Sequence, residues 1–352
     1  MSLVECNEAL LRGGAYRALA ERALADEPLR REEALAVLQS PDAGLPSLLW
    51  AAYAARSQHW GRRVKLCVLQ NARSGLCPED CGYCSQSAVS SAPIARYRLV
   101  PIPELVAGAR RAAAAGATRY CMVVSARGPS GPDIAHFATA ARTIRAELPE
   151  LELCVSLGIM DQGQAETLAH AGIDFVNHNL NTSRRFYPSI CSTHTYDDRV
   201  STVINTVRAG MAPCSGVIVG MGETTEDLVE VAMELRRLAV VSLPVNFLNP
   251  IDGTPLGDRL PPTPADCLRA LALFRLTNPR ADLRAAGGRE RCLGAAQGLA
   301  LFAANSLFVG GYLTTPGQAR DEAVGMIETL GFEVEGAPPR RPATVMDRAV
   351  QM

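Results

Sequence analysis

The chain has 352 residues, 48% of them hydrophobic, and a formal net charge of −1. With no basic block beyond a short C-terminal tail and no apolar run of the ~18 residues a membrane helix needs, neither nucleic acid nor membrane is an expected partner. The N-terminal MSLVECNEALLRGG lacks a basic segment followed by an apolar stretch, so no secretory leader is expected and a cytoplasmic location is the default.

Residues 1–62 read as helical: REEALAVLQS and LPSLLWAAYAARSQHW carry apolar residues at helical spacing, and PDAGLP separates them. From residue 63 onward, short β-rich runs alternate with longer amphipathic stretches. The expected strands are 64–70, 118–124, 151–157, 173–179, 213–220, 243–249, 281–287 and 305–311. Eight strands alternating with helices imply an α/β fold with parallel pairing, a (β/α)8 TIM-type barrel over 63–335. Residues 1–62 then form an N-terminal helical extension, and 336–352 a short flexible tail. An open doubly wound sheet is the alternative that alternation alone leaves. The loop between the first two strands, 71–102, is long and rich in Cys, Ser, Pro and Gly, and such loops tend to be functional.

Eleven cysteines are many for a cytoplasmic chain, where disulfides are disfavoured, so clustered thiols point to metal or catalysis. The long loop places Cys77, Cys81 and Cys84 at C-x3-C-x2-C spacing. Three thiolates this close can grip three corners of a cubane cluster and leave its fourth iron open to an outside ligand. A zinc knuckle is the competing reading, but no second cysteine pair or local histidine follows. Cys121, Cys154 and Cys214 each fall inside an expected strand, where alternation lets all three face a barrel interior. Arg284 lies on another strand, and a buried guanidinium needs an anionic partner. Asn177 and Asn179 in NHNLNTS offer donors and acceptors suited to a neutral cyclic urea or a ribose hydroxyl. They sit at the C-terminal ends of strands, where barrel active sites form. His178, between two asparagines, turns to the other face if the period-2 pattern holds, and reads as structural. Arg119 shares the strand face of Cys121. Gly220 and Gly222 lack dinucleotide-fingerprint spacing and read as a tight turn.

The C-x3-C-x2-C motif with Tyr83 before its last cysteine resembles the signature of the radical S-adenosylmethionine (SAM) superfamily. CPEDCGYCSQS, YCMVVSARGPS, NHNLNTS, THTYDDR, CSGVIVGMGET, PVNFLNPIDGTPL, RAAGGRE and AANSLFVGGYLTT, in that order from about 64 to 333, resemble the biotin synthase family within it. The resemblance implies a [4Fe–4S] cluster on Cys77, Cys81 and Cys84 that cleaves SAM. It also implies a [2Fe–2S] cluster on Cys121, Cys154, Cys214 and Arg284 that donates sulfur to dethiobiotin. It sets Tyr83, Asn179, Asn181 and Arg199 around SAM, with Arg199 pairing its carboxylate, and Asn177, Asn179 and Asn246 around dethiobiotin. Asn181 departs from members that carry Asp there, so it brings no charge to the ribose. A homodimer and a flavodoxin-type electron donor are further implications. Cys6, Cys67, Cys191, Cys267 and Cys292 match no ligand position and read as bystanders, Cys6 as exposed and oxidisable. Another radical SAM enzyme would share the loop without needing the three strand cysteines and Arg284 together. A lipoyl-synthase-like enzyme would need a second local cysteine triad. A non-catalytic iron–sulfur or zinc protein would not cleave SAM.

Overall fold

The computed structural model, which describes residues 14–75 and 77–336, turns the alternation into a closed parallel barrel. Its strands are β1 (Arg63–Arg73), β2 (Arg119–Val124), β3 (Glu152–Ser156), β4 (Phe175–Asn177), β5 (Ala212–Cys214), β6 (Val217–Val219), β7 (Ser242–Phe247), β8 (Asp282–Ala285) and β9 (Ser306–Phe308). β9 pairs back with β1, Lys65 opposite Ser306, and closes the ring. A tenth strand, β10 (Glu333–Val334), pairs outside the ring with the first residues of β1.

Parallel strands covered on both faces must be apolar or specially partnered on both. Here Leu66, Tyr120, Met122, Leu153, Val155, Leu243 and Val245 are buried beneath the helices. The alternate positions Cys67, Leu69, Arg119, Cys121, Cys154, Asn177, Pro244, Asn246 and Arg284 border a cavity inside the ring. The period of two therefore separates packing residues from chemical ones on most strands.

Two expected strands differ from those found. The run 213–220 is one strand in expectation but splits into β5 and β6 at Ser215–Gly216. At Gly216 a Cβ would lie 1.8 Å from the carbonyl oxygen of Pro244, so only glycine lets the two backbones approach there. The neighbouring strand is also short: β4 stops at Asn177, and Asn181 returns to accept the amide of Ile218 with a left-handed φ of 69°.

The N-terminal helices are α1 (Gly14–Leu24), α2 (Arg31–Leu38) and α3 (Leu45–Trp60). PDAGLP forms the break, with Pro41 leading into a 3-10 turn over Asp42–Gly44. Around the ring follow α4 (Ile102–Ala114), α5 (Gly131–Glu147), α6 (Gln162–His170), α7 (Tyr196–Arg208), α8 (Thr225–Arg237), α9 (Pro264–Thr277), α10 (Arg289–Leu293) and α11 (Arg320–Thr329). α3 packs against α9, which is buried from Cys267 through Thr277. A helix covered all round needs cover from both sides, and the N-terminal helices supply the outer one. Leu48, fully buried in α3, belongs to this layer. Leu48→Ala is expected to destabilise the chain by about 2–3 kcal/mol, read as a lower urea midpoint at unchanged slope. The tail expected from residue 336 lies, beyond Gly336 itself, outside the described residues, as does Cys6. No helix among the described residues is long and apolar enough to cross a membrane.

Candidate active site

Cys77, Cys81 and Cys84 border the mouth of the barrel cavity, which has a volume of about 380 Å³. Their loop is stitched to two others through Gly82, whose amide donates to Ile190 O at 2.9 Å and whose carbonyl accepts from Leu256 N at 3.1 Å. The amide of Cys84 closes a turn onto Cys81 O at 3.1 Å. Burial pushes the Cys77 thiol up to about 11, and it raises Cys84 as well. Such thiols stay protonated until a metal takes the proton's place. Tyr83 is tied into the same rim: its hydroxyl accepts from Asn181 Nδ2 at 2.6 Å.

Deeper in the ring, strand register brings three more sulfurs together. Cys121 on β2 sits directly opposite Cys154 on β3, with 3.1 Å between the sulfurs. Cys214, at the end of β5, is hydrogen-bonded to the Cys154 thiol. All three are buried. The hydrogen bond shared with Cys121 and then burial raise the Cys154 thiol well above its ordinary range; the bond with Cys154 and burial do the same to Cys214. Three crowded sulfurs beside a guanidinium are a soft donor set, suited to a thiophilic metal core and not to a hard cation.

Arg284 is fully enclosed beside this group, and Cys214 feels its charge. Its anionic partner is already in the protein. Asp282 Oδ2 lies 3.3 Å from Arg284 Nη2 and 3.2 Å from Arg119 Nη2, and Ser306 Oγ accepts from Arg284 Nε at 3.0 Å. Asp282, on the same strand face two residues earlier, is the anionic partner that a buried Arg284 needs. Arg119 also pairs with Glu152 at 2.8 Å and stacks on Phe175 at 3.6 Å. Cys67, taken as a bystander, borders the same floor, with Sγ 3.5 Å from Ser306 Oγ.

The amides gather between the two sulfur groups. Asn177 Nδ2 donates to Asn179 Oδ1 at 3.1 Å and approaches Cys214 Sγ at 3.3 Å. Asn246 is held at both ends, donating to Val217 O at 3.1 Å and accepting from Gly287 N at 3.0 Å. Arg199 is buried on α7 and donates to Asn179 O at 2.8 Å. It also contacts His194 Nε2 at 2.9 Å and the hydroxyl of Tyr187. Among the described residues no carboxylate lies within ion-pair distance of it. A buried cation facing a cavity without a carboxylate of its own suits an anionic ligand.

His178 does not turn away as alternation suggests. β4 ends at Asn177, so the period of two no longer applies, and His178 borders the cavity, buried. Burial, then the charges of Arg199 and His194, lower its pKa well below the usual value, and it stays neutral. Gly220 and Gly222 do form a tight turn after β6, at φ of 100° and 112°. Sequence reading missed the network behind the mouth: Glu79 meets His194 Nδ1, and Tyr187 meets His194 Nε2 at 2.8 Å. Cys191, read as a bystander, lies 3.7 Å from Cys81 through their sulfurs. The one local signal for it is the C-x2-H spacing of Cys191 and His194.

Comparisons with known proteins give the family. Residues 73–235 match the radical SAM superfamily, and 244–333 match the Biotin and Thiamin Synthesis associated domain. The chain is 50% identical over 327 residues to the biotin synthase of Geobacillus kaustophilus, covering 93% of this chain and 98% of that one. It is 48% identical over 324 residues to the biotin synthase of Rhodopirellula baltica, covering 92% and 90%. Among solved structures, methylornithine synthase superposes with a TM-score of 0.78 at 20% identity, covering 90% of this chain and 97% of that one. The FeFe-hydrogenase maturase HydG of Carboxydothermus hydrogenoformans gives 0.76 at 17%, covering 90% and 78%. These two share the fold. The sequence relatives go further: this chain belongs to the biotin synthase family, radical SAM enzymes that insert sulfur in biotin synthesis.

Proposed function

We propose that the chain converts dethiobiotin to biotin with two iron–sulfur groups facing one cavity. A [4Fe–4S] cluster would rest on Cys77, Cys81 and Cys84, and a [2Fe–2S] cluster on Cys121, Cys154, Cys214 and Arg284. The observation that carries this reading is that both sulfur sets border the same enclosed space, with amides between them. When bound, the mouth cluster with SAM supplies a hydrogen-abstracting radical, and the inner core supplies sulfur.

The chain's own residues bind, orient and exclude water. Arg199 takes the carboxylate of SAM, fixed in place by Asn179 O, Tyr187 and His194. Tyr83, Asn179 and Asn181 border the rest of SAM, and the neutral Asn181 amide serves a ribose hydroxyl by hydrogen bonding alone. Asn177, Asn179 and Asn246 hold the ureido ring, and the two backbone bonds of Asn246 fix its orientation. We take 63–335 as the catalytic barrel, 1–62 as its helical cover and 336–352 as a tail. A homodimer fed by a flavodoxin-type donor in the cytoplasm completes the reading.

Anaerobic reconstitution is expected to load about six irons per chain and give biotin from dethiobiotin; filling of a single cluster would remove the inner site. Arg199→Ala is expected to raise the KM for SAM by roughly 30-fold or more, the scale for removing one partner of a buried ionic contact, with Arg199→Lys partly restored. An unchanged KM would take Arg199 out of SAM binding.

A further inference from the structure

We propose a separate metal site behind the mouth triad: Cys81, Cys191 and His194 bind a thiophilic divalent cation, zinc by chemistry, when the mouth cluster is absent. Among the described residues, Cys81, Cys191 and His194 are the one trio of potential ligands whose donor atoms all lie within 4.8 Å of one another, and all three are buried. Zinc–thiolate bonds of about 2.3 Å set a tetrahedral sulfur–sulfur edge of about 3.8 Å. The Cys81 and Cys191 sulfurs are 3.7 Å apart. From Cys191 Sγ, His194 Nδ1 lies at 3.3 Å and Asp80 Oδ1 at 3.2 Å. Two sulfurs and one imidazole at these separations match three corners of a tetrahedral zinc shell, and the fourth is left to water.

The surroundings are those of a built site. Asp80 is held beside the Cys191 sulfur, its Oδ1 accepting from the amides of Ser192 and Thr193 at 3.0 and 3.2 Å. His194 Nε2 meets the hydroxyl of Tyr187, the kind of outer hydrogen bond that orients a metal-bound imidazole. Binding through Nδ1 takes the place of the proton shared with Glu79 and turns Nε2 into a donor, so Arg199 gives up its contact there. The cation takes the place of the proton that Cys81 donates to Cys191, and no electrons move. Cys191 does not border the barrel cavity, whereas Cys77, Cys81 and Cys84 do, so the site lies behind them and shares only Cys81. One sulfur cannot serve both, and the cation and the mouth cluster exclude each other. The sequence argument against zinc, that no histidine lies near the triad, fails because the fold brings His194 from over a hundred residues away.

The test titrates the full-length, iron-stripped chain, carrying Cys154→Ala to disable the inner sulfur set, with Co2+ under anaerobic conditions. This background is expected to bind one tetrahedral cobalt with sulfur-to-cobalt charge-transfer bands, displaced by Zn2+. Cys77→Ala keeps that spectrum, whereas Cys191→Ala and His194→Gln bind at least about tenfold more weakly. One equivalent of Zn2+ slows assembly of the mouth cluster in wild type but not in Cys191→Ala. Melting curves show that each variant is folded, and His194→Gln carries the test if Cys191→Ala is not. Cobalt lost in Cys77→Ala but kept in Cys191→Ala and His194→Gln would put the cation on the triad and overturn the proposal. Octahedral cobalt without sulfur bands, or zinc still blocking cluster assembly in Cys191→Ala, would do the same.

Discussion

Cys154→Ala is expected to leave SAM cleavage at the mouth intact while biotin formation falls to background. Cys154 is the middle sulfur of the inner group, 3.1 Å from Cys121 and hydrogen-bonded to Cys214. Without it the remaining two thiols have no donor between them. The substitution removes one buried atom from a wall that is otherwise intact, a structural cost of about 1 kcal/mol, too small to unfold a domain of this size. Cys77→Ala is expected to do the reverse: SAM cleavage stops, while the inner sulfurs still take up iron. The pair separates the two groups by product rather than by stability. Measuring methionine release, biotin and iron–sulfur absorption in both variants checks it, and wild-type biotin yield from Cys154→Ala would remove the inner cysteines from sulfur transfer.

The parts legible in the sequence are those governed by short-range rules. The spacing of Cys77, Cys81 and Cys84 is local, and the alternation that turns Cys121, Cys154 and Arg284 inward follows from strand geometry. That rule fails where a strand ends or breaks. It misplaces His178 because β4 stops one residue earlier, and it runs 213–220 together because the contact of Gly216 with Pro244 involves a different strand. Asp282 was readable as the partner of Arg284, since the two share a strand face at i and i+2, but no pattern marks it as shared with Arg119. Cys191 and His194 sit at C-x2-H spacing on one loop, but Glu79 and Cys81 reach them only through the packing of a second loop, which no local signal encodes.

Asp282→Ala is expected to be the most damaging single change in the barrel floor, costing about 3–5 kcal/mol. One carboxylate oxygen holds Arg119 at 3.2 Å and Arg284 at 3.3 Å, and Asn305 Nδ2 donates to the other at 3.1 Å. Removing it leaves Arg284 buried with no carboxylate and Arg119 with Glu152 alone. The same carboxylate makes stability depend on pH. Burial alone would raise its pKa, but Arg119 and Arg284 outweigh burial and hold it below the usual value. A depressed pKa means that the unfolded chain binds the proton more readily, so the contribution is complete above the unfolded value of about 3.9 and is lost as pH falls through the folded one. Urea midpoints measured from pH 7 down to 3 should therefore fall less steeply in Asp282→Asn than in wild type, from a lower starting point. Equal acid slopes in the two proteins would show that Arg119 and Arg284 are neutralised by something other than this carboxylate.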